Sequence, residues 1–229
     1  MKLAALFSGG KDSTYAIYRS RLDGHTVECL ITVFPRSEES HLLHHPNIES
    51  TRLQARSMGI PQITVSADSD ETRAELAELR KALESAQKNF GIQGITHGGI
   101  RSVFQRENFG SVCSALGLEV ISPLWGTDEA YYMRDLVKSG FRFIITSVTA
   151  GGLDDSWLGK EVTASDVERL VSISSRYGIN LSFEGGEAET FVLDCPIFSR
   201  PIRVTKSSRT WDGYRGRFEI TEAVLEERC

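Results

Sequence analysis

A phosphate-binding turn near the start of the chain constrains the fold more than any other feature of the sequence. The apolar run at residues 3–7 leads directly into Ser8-Gly9-Gly10-Lys11-Asp12-Ser13, and a helix-forming stretch follows. Two glycines let the backbone turn sharply and bring its N–H groups close to an anion. The next helix presents unpaired N–H groups and the positive end of its dipole to the same place. The sequence therefore predicts a strand, a phosphate-binding turn and a helix, in that order.

The spacing of this turn differs from that of the Walker loop, G-x-x-x-x-G-K-[ST], which holds a nucleotide for attack at its terminal phosphate. SGGKDS resembles instead the PP-loop of the N-type ATP pyrophosphatases. The resemblance implies that the loop binds the pyrophosphate end of ATP, and that reaction at the α-phosphate releases AMP and pyrophosphate. A chance Gly-Gly turn is the alternative, and six matching residues at a strand–helix junction make it the weaker one.

Strands and helices alternate over the first half of the chain. We predict strands at 3–7, 27–33, 62–65, 94–97 and 118–121, with helices at 46–58, 71–90 and 103–116 between them. Such alternation predicts parallel strands joined by right-handed crossovers, and hence an α/β, doubly wound, Rossmann-like sheet of five strands. Ligands bind at the carboxyl ends of such strands, where SGGKDS and His97-Gly98-Gly99 both lie.

The pattern changes after Pro123. It predicts a helix at 129–139, a long strand at 141–148, a helix from the N-cap Thr163 to residue 177, and short strands from Ile179 onward. We therefore predict a nucleotide domain at 1–122 and a smaller α+β domain at 123–229. No linker rich in Pro, Gly or Ser separates them, so we expect the two parts to pack tightly.

Composition narrows the classes of partner. The net charge of −5 disfavours, without excluding, a nucleic-acid substrate. No run of about 18 apolar residues predicts a membrane span, and no signal peptide precedes the first strand, so the cytoplasm is the expected location. The cysteines form no C-x-x-C pair, which leaves zinc binding and sulfur relay with little support; we expect Cys29 and Cys113 to be buried thiols.

A second distinctive stretch, Glu184-Gly185-Gly186-Glu187-Ala188-Glu189, continues through residues 190–194 and ends at an aspartate. Its four carboxylates in eleven residues are usually interpreted as a solvated turn. Here glycines interrupt the acids and an apolar run follows at 191–193, which favours a position at a buried edge for some of them. We interpret the stretch as functional.

Together the two halves resemble the diphthine–ammonia ligases, or diphthamide synthetases, of the PP-loop superfamily. The stretches that carry this resemblance are SGGKDS at 8–13, HHPNI at 44–48, VCSALGLE at 112–119, PLW at 123–125, GF at 140–141, GLD at 152–154, WLG at 157–159, EGGEAETFVLD at 184–194 and PIF at 196–198. The resemblance implies a ligase, of the archaeal single-chain type, that uses ATP and Mg²⁺. It would adenylate the carboxylate of diphthine, a modified histidine on translation elongation factor 2, and ammonia would then displace AMP to leave an amide.

Roles for the nucleotide side follow from this resemblance and from the residue types. We predict pyrophosphate binding by Ser8, Gly9, Gly10 and Ser13, and charge neutralisation by Lys11. We predict that Asp12 places Mg²⁺; an ordinary acid in the first turn of a helix is the alternative. The remaining candidates for the nucleotide site are His44, Asn47, Gly98 and Gly99, although Asn47 could equally be a simple helix N-cap.

The acceptor side is predicted around Glu184, Glu187 and Glu189, because ammonium and the quaternary ammonium of diphthine are both cations. One of these acids would take the proton from the attacking ammonium. Trp125 or Trp157 would stack against the quaternary nitrogen, or both would be core residues. Arg101 and Arg106 would contact phosphate or lie on a helix surface.

Three residues depart from the family pattern. Gly99 stands where an acid is usual, Phe183 where a glycine is common and Ala188 where a tyrosine is common. The alternatives are therefore a PP-loop enzyme acting on another acceptor, such as a tRNA base, and an ATP-binding sensor without turnover. A glutamine-dependent amidotransferase would need a glutaminase segment, for which no sequence is left, so free ammonium is the expected nitrogen source. A homo-oligomer is possible.

Overall fold

The computed structural model describes residues 1–34, 50–69 and 71–228. The first half contains β1 (Lys2–Leu6), α1 (Lys11–Leu22), β2 (Thr26–Phe34), α2 (Thr51–Met58), β3 (Gln62–Ser66), α3 (Thr72–Phe90), β4 (Gly94–Thr96), α4 (Val103–Ala115) and β5 (Glu119–Ile121). The second half contains α5 (Glu129–Lys138), β6 (Arg142–Val148), α6 (Ala164–Tyr177), β7 (Ala188–Asp194), β8 (Ile202–Trp211) and β9 (Gly216–Leu225).

The first sheet has five parallel strands in the order β3-β2-β1-β4-β5, which confirms the predicted doubly wound α/β architecture. Strand β1 lies at the centre, where Ala4 is opposite Cys29 of β2 on one side and Ile95 of β4 on the other. The chain reverses its direction of winding between β1 and β4. The carboxyl ends of these two strands therefore form the switch point at which such sheets bind ligands.

The second sheet is antiparallel in the order β7-β6-β9-β8, with α5 and α6 beside it, as expected for an α+β unit. The prediction of short strands is wrong for β8 and β9, which have ten residues each. They form a hairpin whose turn is held by the Asp212 carboxylate, which accepts the N–H groups of Tyr214 and Arg215. Most of β8 is exposed and polar, which weakens its strand signal.

Local signals fix several helix ends as predicted. Gly59 and Gly91 take left-handed backbone conformations directly after α2 and α3. Thr163 and Asp166 form a capping box at the start of α6. The predicted start of the second helix, at residue 46, lies outside the described residues.

Two apolar clusters fill the part of the molecule that the structure describes. One lies between the first sheet and helices α3 and α4, and it contains the buried thiols of Cys29 and Cys113, as predicted. The other is continuous across both halves, joining Phe7 and Tyr15 to Phe143 and Phe191. The two sheets therefore share a core, and the division at residue 122 stays a prediction. None of the described helices is long and apolar enough to cross a membrane.

Candidate active site

The loop after β1 has the backbone shape that its glycines allow. Gly9 has a φ of +81°, and a Cβ there would lie 2.4 Å from the side-chain oxygen of Gln54. Gly10 is the N-cap of α1. The hydroxyls of Ser8 and Ser13 lie 3.2 Å apart across the loop. A left-handed glycine and two hydroxyls at a helix N-terminus are what a phosphate cradle requires.

The end of β4 lies against the first turn of α1. A Cβ on Gly98 would lie 2.4 Å from the carbonyl carbon of Asp12 and 2.6 Å from the backbone nitrogen of Ser13. A Cβ on Gly99 would lie 2.9 Å from the ring of His97. Gly98 and Gly99 thus permit close packing beside the loop, and Gly99 leaves no room for a larger side chain without a shift of the histidine.

Strand β7 of the second sheet supports the same loop from the other side. Thr190 accepts the Lys11 backbone N–H at 3.1 Å, and the Val192 N–H donates to the Gly9 carbonyl at 3.1 Å. The Gln54 amide donates to the carbonyls of Gly9 and Val192, at 2.9 and 2.8 Å. The loop is therefore fixed by residues more than 40 positions away, and sequence reasoning did not identify Gln54 or Thr190.

A buried Lys11 and a partly exposed Asp12 form an ion pair in the site. The Lys11 ammonium is almost fully buried and donates to both oxygens of Asp12, at 2.9 and 3.0 Å, and to the Ser182 carbonyl at 2.5 Å. The Tyr132 hydroxyl donates to Asp12 Oδ1 at 2.6 Å. The rings of Tyr132 and Phe183 lie 5.9 and 5.1 Å from the ammonium. The Lys11 ammonium therefore donates to three oxygen atoms of the protein. It does so beside the loop where a phosphate could bind.

Residues 180–187, which we call the strap, connect this pair to the β4–α4 loop. The Glu129 carboxylate accepts the N–H groups of Leu181 and Ser182, at 2.8 and 3.2 Å. The Glu184 carboxylate accepts those of Ile100 and Arg101, at 2.6 and 2.7 Å. Both oxygens of Glu184 are therefore engaged by backbone N–H groups of the β4–α4 loop.

The other two predicted acids, Glu187 and Glu189, lie in different places. Glu189 lines the pocket, whereas Glu187 does not belong to the described lining. One Glu187 oxygen accepts the Asn180 N–H at 2.9 Å, and the other is buried without a hydrogen-bond partner among the described residues. The acidic stretch thus presents Glu184 and Glu189 to the pocket, and Glu187 to the base of the strap.

One pocket joins these parts. Its described lining comes from the loop, the strands of the first sheet, the β4 end, helices α3 and α4, the strap and β7, and it has a polar and an apolar side. The polar side consists of Ser8, Gly10, Lys11, Asp12, Ser13, His97, Gly98, Gly99, Gln105, Glu184, Glu189 and Thr190. The apolar side consists of Leu6, Phe7, Ile31, Val33, Leu79, Phe109, Phe183 and Ala188. An apolar slot beside a phosphate cradle can hold a nucleotide base.

His97 holds the β4 end in place as a neutral ring. Its Nδ1 accepts the Gly99 N–H at 3.1 Å, so the proton lies on Nε2, which is 2.7 Å from the Ser122 hydroxyl. Burial, helped by the positive charge of Arg106, lowers the pKa of His97 to about 4. The histidine is a structural hydrogen-bonding group in a pocket wall, and the sequence indicated only its position after a strand.

The predicted stacking of a tryptophan against the acceptor finds no support at Trp157. Its ring is 2% exposed, belongs to the core and lies beneath Lys160 and Arg169. Trp125 lies against the Arg106 guanidinium, 4.6 Å from the ring centre. Neither ring is in the described pocket lining, because the turn that carries each one packs against other elements.

Arg101 and Arg106 also lie outside the described lining. Arg101 has an exposed side chain that pairs with Glu129 at 3.2 Å, and Arg106 covers Trp125. Both are therefore surface residues of the β4–α4 region in this structure. His44 and Asn47 lie outside the described residues.

Phe183 is the one described non-glycine residue with a positive φ, at +66°. Its ring is 3% exposed and lines the pocket beside Ala188. The left-handed region favours glycine, which is the residue that the resemblance leads us to expect here. Here an aromatic ring enters the pocket from the strap, next to a small residue on β7.

Metal ligands do not converge in the part of the chain that the structure describes: no group of three or more His, Cys, Asp or Glu side chains could hold an ion there. Asp12, whose side chain is 35% exposed, is the predicted metal residue, and it lies beside the phosphate loop.

Comparison with known proteins covers nearly the whole chain. A family model described as the diphthamide synthase N-terminal domain matches residues 1–120, and one described as the diphthamide synthase C-terminal domain matches 128–225. A rat protein named diphthine–ammonia ligase is 34% identical over 226 residues, covering 90% of this chain and 84% of the rat protein. A human protein of the same name is 32% identical over 225 residues, with the same coverage.

A protein of that name from Schizosaccharomyces pombe is 30% identical over 220 residues, which cover 90% of this chain and 36% of the yeast protein. Among solved structures, a predicted subunit of tRNA methyltransferase from Methanocaldococcus jannaschii is 15% identical and covers 86% of this chain and 98% of its own. Its TM-score of 0.40 is too low for a structural argument.

Proposed function

The chain belongs to the diphthamide synthase family, and we propose that it catalyses the ATP-dependent amidation of the diphthine carboxylate by ammonium, the last step of diphthamide synthesis. The observation that most supports this reaction is the single pocket that contains both the phosphate-binding loop and two acids of the 184–194 stretch. An adenylating ligase needs a nucleotide and an acceptor to meet in one place.

The acceptor carboxylate must be activated before ammonia attacks it, because its leaving group would otherwise be an oxide ion. In the first step a carboxylate oxygen of the acceptor attacks the α-phosphorus of ATP, and the bond to pyrophosphate breaks. In the second step ammonia attacks the acyl carbon, AMP leaves, and the nitrogen loses a proton. The protein's main task is to stabilise charge on the phosphates and to exclude water.

We assign the pyrophosphate to the loop formed by Ser8, Gly9, Gly10 and Ser13. Lys11 would exchange the Asp12 carboxylate for a phosphate oxygen when ATP binds, because Lys11 and Asp12 both belong to the lining of the pocket. The burial of Lys11 strengthens that contact, since charges interact more strongly away from water.

The residues present fit a magnesium ion bound together with the nucleotide. Mg²⁺ in such sites needs only one or two carboxylates in addition to phosphate oxygens, and Asp12 supplies one beside the loop. When bound, the ion would neutralise charge on the phosphates.

On the acceptor side we propose Glu189 as the group that takes the proton from the nitrogen once ammonia has attacked the acyl carbon. Glu189 lines the pocket from β7, next to Thr190, which accepts the Lys11 N–H, whereas Glu187 is outside the described lining. The two pocket carboxylates also favour cations, and both ammonium and the quaternary ammonium of diphthine are cations. Elongation factor 2 carrying diphthine is the proposed protein substrate, which would place the reaction in the cytoplasm.

The two steps can be measured separately, which tests these assignments. Exchange of labelled pyrophosphate into ATP reports acceptor adenylation without ammonium, and amide formation reports both steps. We expect Glu189→Gln to keep the exchange and to lower amide formation by roughly 10²- to 10⁴-fold. Glu187→Gln is the matched control and should keep both. Loss of amide formation in Glu187→Gln alone would refute the assignment of Glu189.

A further inference from the structure

Tyr132, in the second half of the chain, donates a hydrogen bond to the Asp12 carboxylate from the side away from the pocket. Tyr132 lies in the first turns of α5, is 1% exposed, and donates its hydroxyl to Asp12 Oδ1 at 2.6 Å. Lys11 and Asp12 line the pocket, whereas Tyr132 is not part of its described lining. Its ring packs against Tyr15, with 5.6 Å between the ring centres. The hydroxyl thus comes from the core side of the carboxylate.

Two groups donate hydrogen bonds to the Asp12 carboxylate, the Lys11 ammonium and the Tyr132 hydroxyl. Lys11 binds both carboxylate oxygens, but the same ammonium would be drawn to a bound phosphate. Once Lys11 turns to phosphate, the Tyr132 hydroxyl is the remaining donor to Asp12 among the hydrogen bonds of the described residues. Oδ2, which Tyr132 does not touch, then becomes available to a cation.

We infer that Tyr132 is a positioning residue for Asp12: its hydroxyl fixes Oδ1 from the core side, so that the carboxylate keeps its place and offers Oδ2 to the metal–nucleotide complex when Lys11 leaves it. The inference rests on the proposed function, because it takes Asp12 to face the magnesium ion and the phosphates. Helix α5, which carries Tyr132, would therefore act directly on the nucleotide site.

The hydrogen bond itself suits this role, because the buried Tyr132 hydroxyl donates to a carboxylate at 2.6 Å. A hydrogen bond to a charged group is stronger than one between neutral groups, so its removal should be measurable.

Tyr15 offers a matched control in the same aromatic cluster. It is 2% exposed, and its hydroxyl donates to Asp135 rather than to Asp12. Tyr15→Phe and Tyr132→Phe thus each remove one buried hydroxyl that donates to a carboxylate. A general loss of packing or stability would affect both variants, and only loss of Asp12 positioning would separate them.

The test is binding of Mn²⁺, as a paramagnetic substitute for Mg²⁺, in the presence of a non-hydrolysable ATP analogue, together with thermal unfolding of each variant. We expect Tyr132→Phe to weaken Mn²⁺ binding roughly tenfold, and Tyr15→Phe to leave it unchanged. Asp12→Asn should weaken binding at least as much, and adding Tyr132→Phe to it should cause no further loss.

Other outcomes would overturn the inference. Equal weakening in Tyr132→Phe and Tyr15→Phe would indicate a packing effect alone. Weakening by Asp12→Asn without any effect of Tyr132→Phe would refute the role of Tyr132 and leave the proposed function intact. No effect of Asp12→Asn would refute both the inference and the metal role proposed for Asp12.

Discussion

At the scale of single residues, Phe183 combines an unfavourable backbone conformation with a buried ring. A non-glycine residue in the left-handed region costs about 1–2 kcal/mol. Burial of a phenylalanine side chain stabilises a protein by about 1.5–3 kcal/mol, which offsets that cost. Such outliers concentrate at functional sites, and Phe183 lines the candidate active site.

Because residue 183 has a left-handed backbone, we expect truncation to glycine to leave a more stable protein than truncation to alanine. Phe183→Ala loses the ring and keeps the strain, whereas Phe183→Gly loses the ring and relieves the strain. The glycine variant should therefore be the more stable, by about 1 kcal/mol in the free energy of unfolding. Urea denaturation of both variants measures the difference. An alanine variant as stable as the glycine variant would mean that residue 183 is not left-handed.

His97 predicts a pH dependence of stability. Its pKa is about 4 in the folded protein and near 6.5 when unfolded, so only the unfolded chain gains the proton between these values. Stability should therefore fall as the pH falls from about 6.5 to about 4, by an amount of order 3 kcal/mol, and should not change further on account of this residue below that range. His97→Asn should flatten that part of the profile in urea denaturation at successive pH values. An equal slope in the variant would assign the effect to other groups.

At the scale of elements, the strap positions the β4–α4 loop through one side chain. Glu184 accepts the N–H groups of Ile100 and Arg101, so its removal should free both. We expect Glu184→Ala to accelerate amide hydrogen exchange at residues 100 and 101. Glu168→Ala, which removes a surface partner of Arg134, is the control and should leave these two amides unchanged. Unchanged exchange at 100 and 101 in Glu184→Ala would contradict the positioning role of the strap.

Sequence reasoning succeeds where the signal is local to an element. The alternation of strands and helices, the glycines after α2 and α3 and the capping box at Thr163 all depend on neighbouring residues, and each was predicted correctly. The strands of the β8–β9 hairpin are longer than predicted. Most of β8 is exposed and carries little apolar alternation, whereas β9 does alternate partly buried and exposed residues over 218–221, a signal that the prediction missed.

The candidate active site likewise contains parts that the sequence predicted and parts that it did not. The loop and its glycines could be predicted, because the six residues that identify it are consecutive in the sequence. Tyr132, Gln54 and Thr190 could not, because each reaches the loop from a distant segment through tertiary packing. The tryptophan hypothesis failed at Trp157 for a related reason, since a large aromatic ring near a motif is as readily buried in the core.

At the scale of the whole molecule, the two sheets share an apolar core and the phosphate loop is bonded to β7. We therefore expect a single cooperative unfolding transition. All three tryptophans lie after residue 123, so their fluorescence reports the second half, whereas far-ultraviolet circular dichroism also reports the helices of the first half. The two signals should give coincident denaturation curves. Separate midpoints would indicate that 1–122 and 123–229 unfold as independent domains.

The central claim is that the pocket couples ATP cleavage at the α-phosphate to amide formation on a modified protein. It is tested most directly by incubating the protein with ATP, Mg²⁺ and ammonium, with and without elongation factor 2 carrying diphthine. The nucleotide products and the mass of the factor are then measured together. We predict AMP and pyrophosphate only with the modified factor, in amounts equal to the amide formed. AMP without amide, or no turnover under any of these conditions, would contradict the account.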